Sequence, residues 1–346
     1  MRAVVKYEKG IKKVRLQDMP IPEPKQGEVR IKVAYAGVCG TDLHIYYDDG
    51  YNTNPPVIIG HEVCGAVDKC ADDVKDFKTG DRVVTETYYY TCGECEFCKI
   101  GKPNLCPHRL SIGSLVNGGF AEYVCVPSKL LHPLKESVSY KGAALMEPLT
   151  CCVQAVYEMA KVLPQDIVLI SGPGPMGLLT LQVVKAWGAY VIMTGTKQDE
   201  SRMEMAKELG ADELFYVEEP DMKQKILSRT VRNGVDVVFE CSGATPAIRT
   251  DLDLIRKGGR YVQVGLTGAE SSIDMNKMTL KELTVKGTFA TKPRWWNKAI
   301  ELVETGKVNT ECVVSDIYPI EEWQQAFEAS KAGNGLKYLI DPGNEL

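Results

Sequence analysis

A glycine-rich turn sets the strongest constraint on the fold of this chain. Residues 171–177 read Ser-Gly-Pro-Gly-Pro-Met-Gly and follow directly on the apolar run 167–170. A G-x-G-x-x-G pattern between a strand and a helix is typical of dinucleotide binding. The first glycine permits the tight turn, the second lets the backbone approach a pyrophosphate, and the third lets helix and strand pack closely. The predicted cofactor contacts of this turn are Gly172, Gly174, Pro175, Met176 and Gly177.

The segment that carries this turn alternates short apolar strands with helices. Six runs have the length and composition of buried strands: 167–170, 190–193, 214–217, 235–239, 260–264 and 283–285. Apolar strands joined by helices are typical of a parallel sheet that is covered on both faces. We therefore predict an α/β unit built on a doubly wound parallel sheet.

The residues on either side of this segment have a different pattern. Residues 28–33 and 82–85 alternate polar and apolar side chains, and Pro and Gly interrupt the chain often, which is typical of a β-rich, barrel-like domain. Apolar residues at helical spacing over 150–160 mark the boundary, and the mixed tail is expected to rejoin the first domain to bury its apolar residues. The predicted domains are 1–147, 148–289 and 290–346.

Composition excludes several classes of partner. Forty-one Lys and Arg against 46 Asp and Glu give a net charge of −5 and a pI near 5.6, so nucleic acid and anionic membranes are poor partners. The N-terminus lacks the apolar core of a signal peptide, and no window approaches the ~18 apolar residues of a membrane span. We expect a cytoplasmic protein that binds a small molecule.

Four cysteines are placed at the spacing of a metal site. They are Cys92, Cys95, Cys98 and Cys106. Four thiolates complete a tetrahedral shell and leave no position for a substrate, as in structural zinc sites. An iron–sulfur cluster is the alternative, but the usual short-spacing cluster motifs differ from this one. We predict a structural zinc ion.

A second set of candidate ligands lies outside this quartet. Cys39, His61 and Glu62 provide three side chains, and Glu147 is a fourth candidate near the domain boundary. An open zinc site has three protein ligands and one position for water or substrate. A zinc ion there would act as a Lewis acid on an alcohol whose hydride passes to the nicotinamide. We therefore predict two zinc ions per chain, one catalytic and one structural.

Two residues downstream of Cys39 are candidates for moving the proton of the alcohol. Thr41 has a hydroxyl, and His44 has an imidazole that can pass a proton to solvent. The alternative for His44 is an ordinary surface imidazole in a loop.

The choice between NAD and NADP is expected at the end of the second strand, where NAD-binding proteins carry an acid for the ribose 2′-hydroxyl. This chain has Thr196 and Lys197 there, with Arg202 beyond, as a 2′-phosphate would require. We predict a slight preference for NADP. Asp199 and Glu200 lie too far beyond the strand end to bind the ribose 2′-hydroxyl directly, although a loop can fold one of them back.

At this point the chain resembles the zinc-dependent medium-chain alcohol and polyol dehydrogenases. The motifs that carry the resemblance are Gly60-His61-Glu62, the four cysteines, residues 118–123 (Gly-Gly-Phe-Ala-Glu-Tyr), Glu147-Pro148-Leu149 and the glycine turn. The resemblance implies a GroES-like catalytic barrel built from both chain ends, a central Rossmann domain, and a homodimer or homotetramer. It also implies Cys39 and His61 as zinc ligands, with Glu62 and Glu147 taking the other positions or exchanging with water.

The resemblance gives two indications of substrate. Residues 39–46 are similar to the threonine dehydrogenase version of the first ligand segment, whereas Glu147-Pro148-Leu149 is similar to the sorbitol and polyol dehydrogenase version. We predict interconversion of a secondary alcohol and a ketone on a polyol or sugar-type substrate, with a threonine-type amino alcohol as the alternative. Phosphorylated polyols stay open because Lys292 and Arg294 are candidates for a phosphate. A nucleotide-binding scaffold or sensor without chemistry is disfavoured by the full ligand set.

Overall fold

The computed structural model describes residues 1–346 and divides the chain into two units. Unit 1 comprises Met1–Thr150, Thr291–Glu304 and Asn309–Leu346, and unit 2 comprises Cys151–Ala290 and Thr305–Val308. The predicted domain limits at residues 147 and 289 fall near these divisions. The division into domains 1–147, 148–289 and 290–346 stays a prediction.

Ten short strands precede the helix that leads into unit 2. They are β1 (Arg2–Lys6), β2 (Val14–Asp18), β3 (Glu28–Gly37), β4 (Val57–Ile58), β5 (Glu62–Cys70), β6 (Arg82–Thr85), β7 (Tyr88–Tyr90), β8 (Leu110–Ser111), β9 (Tyr123–Pro127) and β10 (Leu131–Pro133). Four helices accompany them: α1 (Gly40–Tyr47), α2 (Glu96–Lys99), α3 (Tyr140–Ala143) and α4 (Met146–Gln154). The strands predicted at 28–33 and 82–85 are confirmed as β3 and β6.

Strand β3 organises the main sheet of unit 1. It pairs antiparallel with β9 and with β5, and its last residue, Gly37, lies opposite Glu62, the first residue of β5. A Cβ atom at Gly37 would overlap the Glu62 carboxylate, so glycine leaves the space that this side chain fills. The end of β3 and the start of β5 therefore bring residues near 39 and 61 together.

Six strands of unit 2 form one parallel sheet. They are β11 (Ile167–Ser171), β12 (Tyr190–Gly195), β13 (Glu213–Tyr216), β14 (Val235–Glu240), β15 (Ile255–Gln263) and β16 (Thr284–Gly287). Their order is β13-β12-β11-β14-β15-β16, and every neighbouring pair is parallel. The strand order reverses at β11, and sheets of this kind bind ligands at the carboxyl ends of the strands at such a point. The predicted doubly wound sheet is confirmed.

Helices connect these strands and bury their apolar faces. They are α5 (Pro175–Trp187), α6 (Glu200–Glu208), α7 (Met222–Ser228), α8 (Thr245–Leu254) and α9 (Asn276–Leu280). Leu169, Ile192, Val238 and Leu252 belong to the buried core between sheet and helices. The helix predicted over 150–160 begins earlier, at Met146, and its last turn, Ala155–Ala160, is a π-helix.

The tail of the chain completes the main sheet of unit 1. Its elements are α10 (Pro293–Glu304), β17 (Val314–Pro319), α11 (Trp323–Ala332) and β18 (Lys337–Asp341). β18 pairs antiparallel with β3, which gives a seven-stranded sheet of order β10-β6-β5-β3-β18-β17 with β9 also on β3. Two smaller sheets, β2-β1-β4 and β7-β8, lie in the same unit. Ile31, Phe120, Trp323 and Phe327 share its main core.

The helices of the protein are short, and none has both the length and the apolar character that crossing a membrane would require.

Candidate active site

Cys39 lies at the junction between β3 and α1. Its backbone is extended, with φ −108° and ψ 157°, and its N–H donates to Asp42 Oδ2 at 2.9 Å. The free N–H groups at a helix N-terminus favour negative charge beside them. The thiolate is the form that binds a metal ion.

His61 follows a sharp turn at Gly60. Gly60 has φ +88°, and a Cβ atom there would meet the Phe120 ring at 2.6 Å. The turn brings the ligand atoms of Cys39, His61 and Glu62 within 4.8 Å of one another. Burial by itself would lower the pKa of His61, but the neighbouring Cys39 and Asp42 raise it well above its usual value. Negative charge therefore surrounds this imidazole, as a cation site requires.

Asp42 belongs to this site although no motif singled it out. It is fully buried, and its Oδ1 atom lies 3.8 Å from His61 Nδ1 without a hydrogen-bond partner. Burial raises the pKa of its carboxyl group. A carboxylate next to the second ring nitrogen of a metal-binding histidine fixes the orientation of the ring. The spacing from Cys39 is that of a capping acid in a first helical turn, so a signal existed in the sequence.

Glu62 forms a buried ion pair with Lys337 of β18. The Lys337 ammonium donates to both carboxylate oxygens, at 2.6 Å for Oε2, and to the Val38 carbonyl oxygen at 2.9 Å. Glu62 is 1% exposed and the Lys337 side chain 7%. Burial by itself would lower the pKa of Lys337, but Glu62, Cys39 and Glu147 together raise it. No sequence signal could identify Lys337, because its partner lies 275 positions away.

Glu147 lies in the first turn of α4 and is 8% exposed. Its carboxylate is not part of the group of ligand atoms formed by Cys39, His61 and Glu62. Its charge nevertheless acts on His61 and Lys337 and raises the pKa of both. Glu147 is thus close enough to influence the site electrostatically while standing apart from the tight group.

Thr41 and His44 both lie on α1. Residues three apart in a helix are neighbours on its surface, so the helix brings the two side chains to one face. The His44 Nδ1 atom lies 2.8 Å from Asp48 Oδ2, and both side chains are partly exposed. This hydrogen bond to His44 lowers the pKa of Asp48. The sequence patterns did not identify Asp48, which orients the imidazole.

The four thiols of the predicted structural site lie within 4.8 Å of one another. Backbone N–H groups point at them: Cys95 N lies 3.4 Å from Cys92 Sγ, and Cys98 N lies 3.4 Å from Cys95 Sγ. The N–H groups of Cys95 and Glu94 lower the pKa of Cys92 to about 6, whereas burial raises that of Cys98 to about 12. A group of four sulfur ligands with N–H donors fits a tetrahedral zinc ion.

The glycine turn between β11 and α5 has the geometry that a dinucleotide requires. Gly172 has φ +98°, and a Cβ atom at Gly177 would overlap the Gly172 carbonyl oxygen, so both positions need glycine. Gly174 precedes α5 and has no heavy atom within 4 Å of a Cβ position, which leaves its backbone open to a ligand. Pro175 begins the helix, and the Met176 carbonyl oxygen accepts the Cys152 thiol at 3.5 Å.

The predicted cofactor residues at the end of β12 have carboxylate partners. The Thr196 N–H and hydroxyl donate to Asp199 Oδ2, at 3.0 and 2.6 Å. Arg202 Nη1 lies 3.3 Å from Asp199 Oδ1. The Lys197 N–H donates to both oxygens of Glu218, at 3.1 and 3.2 Å. Asp199 is thus folded back on the end of β12, and Glu218 joins it there from the loop after β13.

Two family models match the chain. Residues 25–136 match the alcohol dehydrogenase GroES-like domain, and residues 175–305 match the zinc-binding dehydrogenase model. The first match covers five of the seven strands of the main sheet of unit 1, and the second covers most of the parallel sheet of unit 2.

Curated relatives match over the full length. The chain is 40% identical to D-arabitol-phosphate dehydrogenase of Enterococcus avium, over 100% of this chain and 98% of the relative. It is also 40% identical to sorbitol dehydrogenase of Halalkalibacterium halodurans, over 99% of each chain.

Solved structures also match the fold over nearly the full length of the chain. A zinc-binding dehydrogenase from Sinorhizobium meliloti, bound to NADP, has a TM-score of 0.90 and 30% identity over 99% of both chains. An alcohol dehydrogenase from Escherichia coli CFT073, complexed with NADH, has a TM-score of 0.88 and 27% identity, also over 99% of both chains. By these family models and full-length relatives, the chain belongs to the zinc-dependent medium-chain alcohol and polyol dehydrogenase family.

Proposed function

We propose that the protein oxidises a secondary alcohol of a polyol or sugar-type substrate to a ketone, and catalyses the reverse reaction, with a nicotinamide cofactor. The observation that carries the proposal is the group formed by Cys39, His61 and Glu62, which is separate from the four-thiol group and leaves a coordination position for a substrate. When bound, zinc supplies a Lewis acid beside the reacting hydroxyl group. The chain supplies the ligands, their orientation and a route for the proton.

The assignment of zinc ligands is part of this proposal. Cys39 and His61 bind the catalytic ion, and Asp42 orients His61. Glu62 and Glu147 provide the carboxylates for the remaining positions, or one of them gives way to water. The ion pair with Lys337 supports a role for Glu62 behind the metal, since both of its oxygens already accept hydrogen bonds. Cys92, Cys95, Cys98 and Cys106 bind the structural ion.

The proton of the alcohol leaves along α1 in this proposal. The Thr41 hydroxyl would accept it and the His44 imidazole would release it to solvent, and a bound cofactor would supply a ribose hydroxyl for the transfer between them. The partial exposure of His44 supports the final step. Asp48 holds the imidazole at Nδ1, which leaves Nε2 for exchange with the relay.

The cofactor is a nicotinamide dinucleotide held on the turn at residues 172–177. Lys197 and Arg202 are the residues from which the sequence predicts a slight preference for NADP. The ion pair between Arg202 and Asp199 weakens the case for NADP, because the guanidinium that would bind the 2′-phosphate already has an anionic partner.

The substrate class rests on the relatives named for arabitol phosphate and sorbitol. A threonine-type substrate is not favoured. A phosphorylated polyol is the second candidate, and the relative named for arabitol phosphate supports it. Lys292, proposed for the phosphate, is 2% exposed, so an exposed phosphate contact belongs to Arg294 instead.

A substrate panel and a metal analysis test the proposal. Free and phosphorylated pentitols and hexitols, threonine and simple secondary alcohols are compared with NAD and NADP, with reduced nicotinamide absorbance as the readout. We expect turnover of polyols and about two zinc ions per chain, one of which a chelator removes together with activity. Turnover of threonine alone, or a single tightly held zinc ion without activity, contradicts the proposal.

An oligomer of two or four chains and a cytoplasmic location stay predictions. The outer edge of the unit 2 sheet supports the first. There β16 has a neighbour on one side only, and Leu280, Val285 and Phe289 on or near it are 76%, 41% and 47% exposed. An exposed apolar edge strand is a site at which chains pair.

A further inference from the structure

Glu218 places a second carboxylate at the end of β12, where Asp199 is already folded back on Thr196. β12 and β13 are neighbouring parallel strands, so their carboxyl ends lie at the same edge of the sheet. Glu218 follows β13 and accepts the Lys197 N–H with both oxygens, at 3.1 and 3.2 Å. An acidic group therefore stands beside residue 197, although it comes from the loop after the next strand.

The end of the second strand is the position at which this fold distinguishes the two cofactors. An acid there accepts a hydrogen bond from the ribose 2′-hydroxyl of NAD, whereas the 2′-phosphate of NADP requires a cation. We propose that Glu218 is the residue that selects NAD, by accepting the 2′-hydroxyl and repelling a 2′-phosphate. The proposal rests on the nucleotide site proposed above and is opposite in direction to the preference that Lys197 and Arg202 suggested.

The charges around Glu218 support this assignment. Two cations, Lys197 and Arg202, stand at the end of β12 with two carboxylates, Asp199 and Glu218, so the four charges sum to zero. Asp199 is occupied by Thr196 and Arg202, at 2.6 and 3.3 Å. A doubly charged phosphate would thus meet no net positive charge and one exposed carboxylate. A neutral diol meets a hydrogen-bond acceptor.

Glu218 also has a structural role that the experiment must separate from selectivity. Its carboxylate accepts the N–H of Lys197, the first residue of the 3-10 turn Lys197–Asp199. A glutamine side chain keeps an oxygen that accepts this N–H and removes the charge. Glu218→Gln therefore changes the electrostatics and retains the hydrogen bond.

The test measures equilibrium binding of NADH and NADPH to the full-length chain by nicotinamide fluorescence, without substrate. We expect the wild type to bind NADH at least about tenfold more tightly than NADPH. Glu218→Gln should tighten NADPH binding about tenfold and weaken NADH binding only a few-fold. Glu219→Gln is the matched control, because it removes the neighbouring charge, which pairs with Lys225 at 2.9 Å, and should leave the ratio unchanged.

A wild type that prefers NADPH, or a ratio that Glu218→Gln leaves unchanged, overturns the assignment of Glu218 while the nucleotide site stands. Absence of binding for both dinucleotides overturns the nucleotide site as well. Glu218→Ser serves as a second charge-removing variant and must move the ratio in the same direction. Circular dichroism of each variant, compared with the wild type, establishes that the changes in affinity come from folded protein.

Discussion

The ion pair between Glu62 and Lys337 puts one positive charge into an otherwise acidic group. Cys39, Asp42, Glu62 and Glu147 all act on His61 or Lys337, and Lys337 is the buried lysine among them. A buried charge without a partner is much more costly than a buried pair. Lys337 therefore stabilises the folded site by holding Glu62 in place, and it limits the freedom of Glu62 to approach the metal.

Replacement of Lys337 by methionine should destabilise the protein strongly. It leaves the Glu62 carboxylate buried without a cation, and breaking such a pair costs about 3–5 kcal/mol. The measurement is urea unfolding followed by circular dichroism, together with zinc content. The double variant Glu62→Leu/Lys337→Met is the control, since it removes both charges and should recover most of the loss. Equal stability of the single variant and the wild type would show that the pair contributes little.

Asp251 makes a second residue-level prediction, because it is a buried acid without a cation. The Ser171 hydroxyl donates to its Oδ1 atom at 2.6 Å, and its Oδ2 atom has no partner. Burial raises the pKa of Asp251 well above its usual value. Between the unfolded pKa of ~3.9 and the raised folded pKa, the carboxyl group is protonated in the folded protein and ionised in the unfolded chain. Its contribution to stability is therefore complete below pH ~3.9 and is lost as pH rises towards the folded pKa.

Asp251→Asn should therefore gain stability relative to the wild type as pH rises. The difference between the two free energies of unfolding should grow by up to about 1.4 kcal/mol per pH unit between pH 5 and the folded pKa. Urea unfolding at pH 5, 6, 7 and 8 gives this slope. Asp253→Asn is the control, because Lys223 and Lys277 hold the pKa of Asp253 below its usual value despite burial, so it is ionised throughout. A flat difference for Asp251→Asn would contradict a protonated Asp251.

For single residues, the sequence predicts the candidate metal ligands better than the residues that hold or orient the site. Cys39 and His61 stand in local patterns, and the structure brings both together with Glu62. Asp42 lies three residues from Cys39 and was open to prediction as a capping acid. Lys337 and Glu218 were not, because their partners depend on which strands are neighbours, and that is a property of the whole sheet.

Two alanine substitutions in the glycine turn test its packing and its role in dinucleotide binding separately. Gly177→Ala places a methyl group against the Gly172 carbonyl oxygen, so β11 and α5 must move apart. We expect a loss of about 1–3 kcal/mol in stability and a large loss of NADH affinity. Gly174→Ala meets no atom within 4 Å and should leave stability unchanged, yet weaken NADH binding because its methyl group lies where the pyrophosphate is expected.

Thermal unfolding and fluorescence titration of both variants distinguish these effects. If Gly174→Ala binds NADH as tightly as the wild type, the pyrophosphate does not lie on this turn.

Elements with strong periodicity were predicted closely, and their ends less well. The runs at 167–170 and 235–239 became β11 and β14, each extended by one residue. The helix predicted over 150–160 begins at Met146 and ends as a π-helix. Over six residues the apolar spacing of a π-helix cannot be told from that of an α-helix, so no sequence pattern could reveal this change.

The edge of the unit 2 sheet gives a prediction about the whole molecule. If β16 pairs chains, a charge on it should prevent assembly, because a buried charge at an edge opposes pairing. Val285→Arg should shift the protein towards monomers in sedimentation velocity. Val217→Arg is the matched control, since Val217 follows β13 at the opposite edge and is also exposed, at 42%. An unchanged oligomer with Val285→Arg, or dissociation with Val217→Arg, would place the contact elsewhere.

At the scale of the whole chain, two sequence patterns were enough to predict two kinds of sheet. They are the alternation of apolar strands with helices and the frequent interruption of short strands by Pro and Gly. They did not predict that β18 pairs with β3, because sequence patterns carry no information on which strands far apart become neighbours. The tail was expected near the first segment only because its apolar residues need burial. In the structure Trp323 and Phe327 share a core with Ile31 and Phe120.

The distance along the chain between Glu62 and Lys337 also determines when the metal site can be completed. Translation at ~5–20 residues per second separates the appearance of the two residues by roughly 15–55 s. Throughout that interval a nascent chain already contains Cys39 and His61, yet Glu62 has no cation and β18 is missing from the sheet. We therefore expect firm zinc loading at the proposed catalytic site to follow synthesis of the last strand.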